Sequence, residues 1–337
     1  MKAVRLNIAD RPTLELRDEP PPTLGRRDVL VRVHAASLNY RDQAVLDGKY
    51  PSPTRAVVPL SDGAGEVVAV GEDVTRTKVG DRVVANALQH WIGGPYLPEY
   101  QSSSVGFTSD GWLAEHILLH ENAIVRLPDY LSYVEGASLA CAGVTAWSAL
   151  SRSTPLASGQ TVLVQGAGGV SLFALQFARL AGARVLAIAP SDEVAEKLTQ
   201  FGAEAVVNYV RQPDWDREIL RLTDGLGVDR VIEVAGEKTI VKSVASTRIG
   251  GEVALVGFAS GLGGGLPPID ILFRSVTVAG TSMGSRLHFA TMLAAMSTHR
   301  MKPVIDSVYP FAGFRDAYAR IAGGSVVGKV VIEKDVP

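Results

Sequence analysis

Residues 161–193 read TVLVQGAGGVSLFALQFARLAGARVLAIAPSDE, and this stretch decides the fold. A short apolar run, Thr161 to Gln165, stops at a glycine-rich turn, Gly166-Ala167-Gly168-Gly169-Val170-Ser171. The residues that follow place apolar side chains at 170, 173, 174, 177, 178 and 181, the spacing of one helix face laid on a sheet. Gly166 suits a tight turn and Gly168 lets the backbone approach a pyrophosphate. Gly169 and Val170 open a helix whose N-terminal N–H groups and positive dipole end favour an anion. The third glycine of such a fingerprint is here Ser171, still small enough for helix to pack closely on strand. Strand, glycine turn, helix and second strand, in that order, predict dinucleotide binding.

The second strand ends Ile188-Ala189-Pro190-Ser191, without the Asp or Glu that an NAD site uses for the ribose hydroxyls. That leaves room for a 2′-phosphate, with Ser191 as donor, Lys197 as cation and Tyr209 on the adenine side. NADP(H) is favoured, with NAD(H) the alternative. A competing reading makes Ser191, followed by Asp192 and Glu193, simply a helix N-cap. Outward from this stretch the rhythm repeats: AEAVVNY, VDRVIEVA, GEVALVG and SVTVAGT alternate with linkers long enough for crossover helices. The pattern implies an α/β domain with a doubly wound, six-stranded parallel sheet. Ligands bind beyond the carboxyl ends of such strands, which adds Gly236, Val256, Gly257, Phe258, Thr281, Ser282 and Met283 to the cofactor-binding candidates.

The first 125 residues have a different texture. Short Val-rich runs broken by Gly, Pro and Asp suggest strands at 2–6, 29–35, 64–70, 81–85 and 113–119, forming a small β-barrel or sandwich-like unit. Trp91 to Asp110, rich in Gly, Pro and Ser, is expected to be a mobile surface loop. After Thr281 the pattern predicts a helix at 286–299, a strand at 304–308, a helix at 311–322 and a strand at 328–333. The 337 residues suggest about two domains. With 33 basic and 35 acidic side chains interspersed, there is no basic stripe for nucleic acid. No apolar run reaches the roughly 18 residues needed to span a bilayer, and the charged start does not suit a signal peptide. A cytoplasmic protein without membrane or nucleic-acid partners is expected. The single cysteine, Cys141, excludes an internal disulfide and a four-cysteine zinc site. Of the six histidines only His116 and His120 lie close in sequence, with no third ligand nearby; they read as packed or solvated side chains rather than a metal site.

In order and spacing, SLNYRD (37–42), PLSDGAGEVVAVGEDV (59–74), VGDRV (79–83), LACAGVTAW (139–147), QGAGGVS (165–171) and GKVVI (328–332) resemble the medium-chain dehydrogenase/reductase superfamily. The resemblance covers essentially the whole chain and is strongest to the zinc-independent, quinone oxidoreductase-like (zeta-crystallin-like) branch. It implies a GroES-like β-barrel catalytic domain at 1–125, a Rossmann NAD(P)-binding domain at 126–280, and a segment at 281–337 that returns to the catalytic domain. It also implies that the catalytic-zinc ligands of the alcohol dehydrogenase branch fall on Asn39, Ser61 and Cys141, with Asp62 replacing a glutamate neighbour. Zinc needs about three protein ligands and an open position, so an amide and a hydroxyl in two of those places argue against it. Cys141 then reads as a small packed side chain.

Without a metal, hydride transfer rests on positioning and on hydrogen-bond donors placed where negative charge develops. Quinones and α,β-unsaturated carbonyls meet that demand, and simple alcohols do not. The expected function is therefore NAD(P)H-dependent reduction of a small electrophilic carbonyl. The alternatives are an alcohol dehydrogenase or enoyl thioester reductase of the same superfamily and, from another class, a non-catalytic NADPH-binding structural protein. The catalytic candidates are Asn39, an amide donor to the substrate oxygen or else a turn former, and Tyr50 in GKYP, a cleft tyrosine or else an exposed one. Tyr40 and Arg41 are weaker choices. The resemblance places Thr145 beside the nicotinamide and Lys329 near the cofactor. A homodimer is expected through the edge strand near Val276–Thr281.

Overall fold

The computed structural model describes residues 1–8, 12–151 and 154–334. They form two compact units, Thr145–Met283 and the combination of Met1–Val144 with Gly284–Pro337.

The Thr145–Met283 unit holds the expected parallel sheet. Its strands are Thr161–Gln165 (β1), Arg184–Ala189 (β2), Ala205–Asn208 (β3), Val228–Glu233 (β4), Thr247–Leu255 (β5) and Thr277–Gly280 (β6). Their order across the sheet is β3-β2-β1-β4-β5-β6, with every pair parallel. This is the doubly wound arrangement in which the strand order reverses beside β1, where the glycine turn lies. β1 is buried along its whole length, as a continuous apolar run should be when helices cover both faces. Leu163, Leu186, Ile188, Val207, Val231 and Val253 build the core, with Trp215 and Ile219 of the helix Trp215–Leu222 packed on it.

In the other unit a seven-stranded sheet runs through Ile305–Pro310, Lys329–Glu333, Asp28–Ser37, Asp62–Val70, Arg82–Ala85 and Ile124–Arg126, with His116–His120 also paired to Asp28–Ser37. Val331 pairs with Ser37 and Glu333 with Ala35, so the C-terminal strand completes a sheet begun near the N-terminus. Two expectations need correction here. The strand read at 113–119 starts at His116, because Leu113 and Ala114 instead bond to the strand Lys2–Asn7. The strand Thr13–Asp18 escaped the pattern because it is polar and mostly exposed. The segment 91–110 is exposed over most of 92–102, as a surface loop should be, but it is anchored at both ends: Trp91 and Val105 are buried, and isolated bridges tie Leu88 to Ser104 and Val105 to Ser109.

The boundary between units falls at 144/145 and not at 125/126. Residues 127–144 pack with the N-terminal strands. The Tyr133 ring stacks on His34 at 4.2 Å and the Cys141 N–H donates to the Asp62 carboxylate at 3.0 Å. Likewise the second unit runs through Met283 and not Gly280, because Thr281 still continues the parallel sheet by donating to Leu255 O at 2.9 Å.

Candidate functional site

The glycine turn follows β1. Gly166 has φ +67°, a left-handed backbone that glycine adopts without cost. Gly168 is extended (φ −68°, ψ 172°) and caps the twelve-residue helix Gly169–Leu180 without any side-chain hydrogen bond, leaving its first N–H groups to a ligand. A Cβ on either glycine would meet nothing within 4 Å. Ser171, standing for the third glycine, is buried and turns its hydroxyl back to Gln165 O at 2.6 Å, so it packs without an unpaired polar group. A helix N-terminus with free N–H groups and a Cβ-free approach fits a pyrophosphate.

The ends of β1 and β4 are tied by a residue that sequence reasoning missed. Glu233 is fully buried, and its carboxylate accepts from Gln165 Nε2 (2.8 Å), Ser243 Oγ (2.5 Å), Thr239 Oγ1 (2.7 Å) and the N–H groups of Ala235 and Gly236 (both 2.8 Å). These bonds hold Gly236 in its left-handed turn (φ +82°). Gly257 crosses so close to Val234 O that a Cβ there would lie 2.3 Å away, which accounts for its glycine. Val256 N bonds to Glu233 O at 2.8 Å, and Gly261 N bonds to Phe258 O at 3.0 Å. Thr281 is buried, Ser282 is exposed, and Met283 has φ +55°. These strand-end residues therefore gather at one end of the parallel sheet. Thr145 is buried at the start of the helix Val144–Ser151.

At the tip of β2 stand the residues expected to meet a 2′-phosphate. Ser191 is the N-cap of the helix Asp192–Gln200, its Oγ accepting from Val194 N at 3.4 Å. Lys197 lies exposed in that helix's last turn, about 9 Å along the axis from the cap. The cation beside the tip is Arg211, ion-paired to Asp192 at 2.6 Å, and Tyr209 N bonds to Ala189 O at 3.0 Å. A basic residue two places after the tyrosine of NYVRQ was the signal for it.

In the other unit, Asn39 precedes the helix Tyr40–Leu46, and Asp42 reaches back to accept the Asn39 N–H at 2.8 Å. The Asn39 amide is engaged elsewhere: Oδ1 accepts from Lys329 Nζ at 2.5 Å, and Nδ2 donates to Ser61 Oγ at 3.4 Å. Lys329 Nζ also donates to Leu38 O at 2.6 Å and lies 3.8 Å from Asp62 Oδ2. Ser61 donates to Asp62 Oδ1 at 2.7 Å. Gly328 (φ +98°), whose Cβ would strike Val304 O at 2.3 Å, lets the chain turn into this position. Leu60, beside Ser61, is buried at φ +74°, a strained backbone costing about 1 kcal/mol next to the cluster. Tyr50 packs on Phe107, the rings meeting edge-on at 6.0 Å, and the Arg41 guanidinium lies 5.5 Å from the centre of the Phe107 ring, while Tyr40 is exposed. Lys329, expected near the cofactor as an available cation, is spent on this buried cluster.

Residues 25–129 match the alcohol dehydrogenase GroES-like domain and residues 169–298 the zinc-binding dehydrogenase domain. A zinc-type alcohol dehydrogenase-like protein of Schizosaccharomyces pombe is 40% identical over 94% of both chains. The human quinone oxidoreductase is 30% identical over 98% of this chain and 97% of its own. The chain belongs to the medium-chain dehydrogenase/reductase superfamily. A solved Sinorhizobium meliloti structure assigned to the alcohol dehydrogenases superposes with a TM-score of 0.92, at 34% identity and covering 98% of each chain. The protein is thus an oxidoreductase of this superfamily with its Rossmann-like and GroES-like parts. Among the described residues no helix is long and apolar enough to cross a membrane.

The superfamily's zinc branch makes the donor set at Asn39, Ser61 and Cys141 worth testing. Cys141 is the one sulfur ligand left of the set, and its backbone N–H, not its thiol, is what meets the Asp62 carboxylate, at 3.0 Å. Asn39 already points its oxygen at an ammonium, and Ser61 gives its proton to Asp62. These residues do not suit a dication.

Proposed function

We propose that this oxidoreductase reduces a quinone or α,β-unsaturated carbonyl with a nicotinamide dinucleotide, NADPH in preference to NADH, and without zinc. The observation that carries the reading is the Lys329 ammonium hydrogen-bonded to the Asn39 amide oxygen, where a metal-dependent enzyme needs an anionic or imidazole ligand. The bound cofactor supplies the hydride. The Gly166–Ser171 turn and the helix behind it hold the pyrophosphate through backbone N–H groups. Gly236, Val256, Gly257, Thr281 and Met283, at the carboxyl ends of the strands, line the place for the nicotinamide half. Asn39 Nδ2 donates to the substrate oxygen as charge collects there. Solvent water or Tyr50 returns the proton. Arg211, paired to Asp192 beside the tip of β2, supports the 2′-phosphate reading together with the lack of an Asp or Glu at residues 188–191.

A homodimer through β6 belongs to the same proposal. β6 ends the sheet order, and the helix Pro268–Arg274 just before it buries no residue, leaving Ile269, Leu272 and Phe273 exposed.

The test is to follow NADPH and NADH oxidation with 1,2-naphthoquinone, an aliphatic enone and an aldehyde, with and without chelator. Turnover of quinone and enone, unchanged by chelator, is expected. Activity abolished by chelator and restored by zinc would overturn the metal-free reading, and tight NADPH binding without turnover of any acceptor would favour a non-catalytic protein.

A further inference from the structure

The Lys329 side chain is 4% exposed and that of Asp62 is fully buried, so their charges face each other 3.8 Å apart with little water between them. An ammonium has donors only, so the group it touches must present an acceptor. Asn39 is therefore compelled to turn Oδ1 toward Lys329, and Nδ2 necessarily faces the other way. The second anchor agrees. Ser61 has committed its hydroxyl proton to Asp62, which leaves Ser61 Oγ only lone pairs to offer Nδ2. That contact is long, at 3.4 Å, and the second Nδ2 proton has no acceptor among the described residues.

We propose that Lys329 is a positioning residue that acts through Asn39. Its ammonium fixes the polarity of the amide so that Nδ2, and not Oδ1, meets the substrate oxygen, and its charge makes that N–H a stronger donor. This rests on the proposed carbonyl reduction. Asp62 holds the ammonium, Lys329 holds the amide oxygen, and the amide presents a donor to an oxygen that gains charge. A free asparagine would present donor or acceptor with little preference.

The test is a cycle of Asn39→Ala, Lys329→Met and the double variant, with Asn39→Asp and Lys329→Arg beside it. Enone reduction, NADPH affinity, melting temperature and the binding of p-nitrophenolate in the presence of NADP+ are measured. Loss of one oxyanion donor typically lowers kcat by about 100-fold, and that is expected for Asn39→Ala. Lys329→Met should lose about 10-fold or more in kcat at nearly unchanged NADPH affinity, and the double variant should be no worse than Asn39→Ala within about 2-fold. Lys329→Arg, which also only donates, should recover part of the loss. Asn39→Asp keeps the shape and strengthens the pairing with Lys329 while presenting an oxygen in place of the donor. It should fold, keep NADPH affinity and be as inactive as Asn39→Ala, although its link to Lys329 is intact, which a purely structural contact would not produce. It keeps the proposal falsifiable should Lys329→Met not fold. Multiplicative losses in the double variant, or an active Asn39→Asp, would overturn the proposal. The phenolate readout stands apart from turnover. If the wild type reduces no carbonyl, the functional reading fails, whereas a wild type that binds p-nitrophenolate no better than Lys329→Met refutes the role of Lys329 itself.

Discussion

Alanine at Gly168 separates the cofactor role of the glycine turn from its structural role. Gly168 has φ −68° and ψ 172°, a conformation open to any residue, and a Cβ there meets nothing within 4 Å. The folded protein should accept the methyl group without strain, and the unfolded chain loses some freedom, so stability should stay equal or rise by up to about 1 kcal/mol. Gly166 has the same open surroundings but φ +67°. Alanine there should cost about 1 kcal/mol of backbone strain, roughly a 2–4 °C fall in melting temperature for a unit of this size. Both methyl groups stand where a pyrophosphate would approach the backbone, so both variants should bind NADPH at least about 10-fold more weakly, or 1.4 kcal/mol. Thermal melting by circular dichroism and titration of NADPH fluorescence measure the two effects separately. Wild-type affinity in Gly168→Ala would show that the turn does not receive the phosphates. A melting temperature lowered by more than about 5 °C in that variant would refute the open-space reading.

Three further outcomes follow from named contacts. Asp caps helices as well as Ser, so Ser191→Asp should leave stability unchanged while weakening NADPH far more than NADH, and Arg211→Ala should lower NADPH affinity about 10-fold with NADH little affected. Equal effects on both cofactors in fluorescence titrations would remove these residues from the phosphate site. Burial alone would raise the pKa of Asp306, but the Val327 N–H, the Arg320 guanidinium and the Ser307 hydroxyl outweigh it and hold the carboxyl below its ordinary value. Its stabilisation is thus present above the unfolded pKa of about 4 and is lost as pH falls through the lower folded value. Asp306→Asn should cost about 2 kcal/mol at pH 7 in urea unfolding, and the difference from wild type should shrink below about pH 4. A difference constant down to pH 3 would contradict this account. Finally, replacing both Leu272 and Phe273 by Glu should convert a dimer to monomer in analytical ultracentrifugation, since each apolar side chain buried at an interface contributes about 1.5–3 kcal/mol. An unchanged dimer would place the interface elsewhere.

The glycine turn was legible because its function is carried by contiguous backbone: Gly166, Gly168 and the apolar face of one helix lie within twenty residues. The same holds for the six parallel strands, whose continuous apolar runs reflect burial on both faces. Ser191 was ambiguous because a serine offers the same hydroxyl to a helix end or to a phosphate, and the bond from Val194 N shows that its oxygen serves the helix end. The polar strand Thr13–Asp18 was missed because exposure on both sides erases the alternation that marks a strand.

By itself the sequence determined the two architectures, the phosphate turn and the residues standing at Asn39, Ser61 and Cys141, since all of these follow from local spacing or motif. Only the tertiary structure brought Lys329 across 290 residues of chain onto Asn39, and Arg211 onto Asp192. The direction in which the Asn39 amide points is set by an ammonium that donates and cannot accept, and no local pattern encodes that contact.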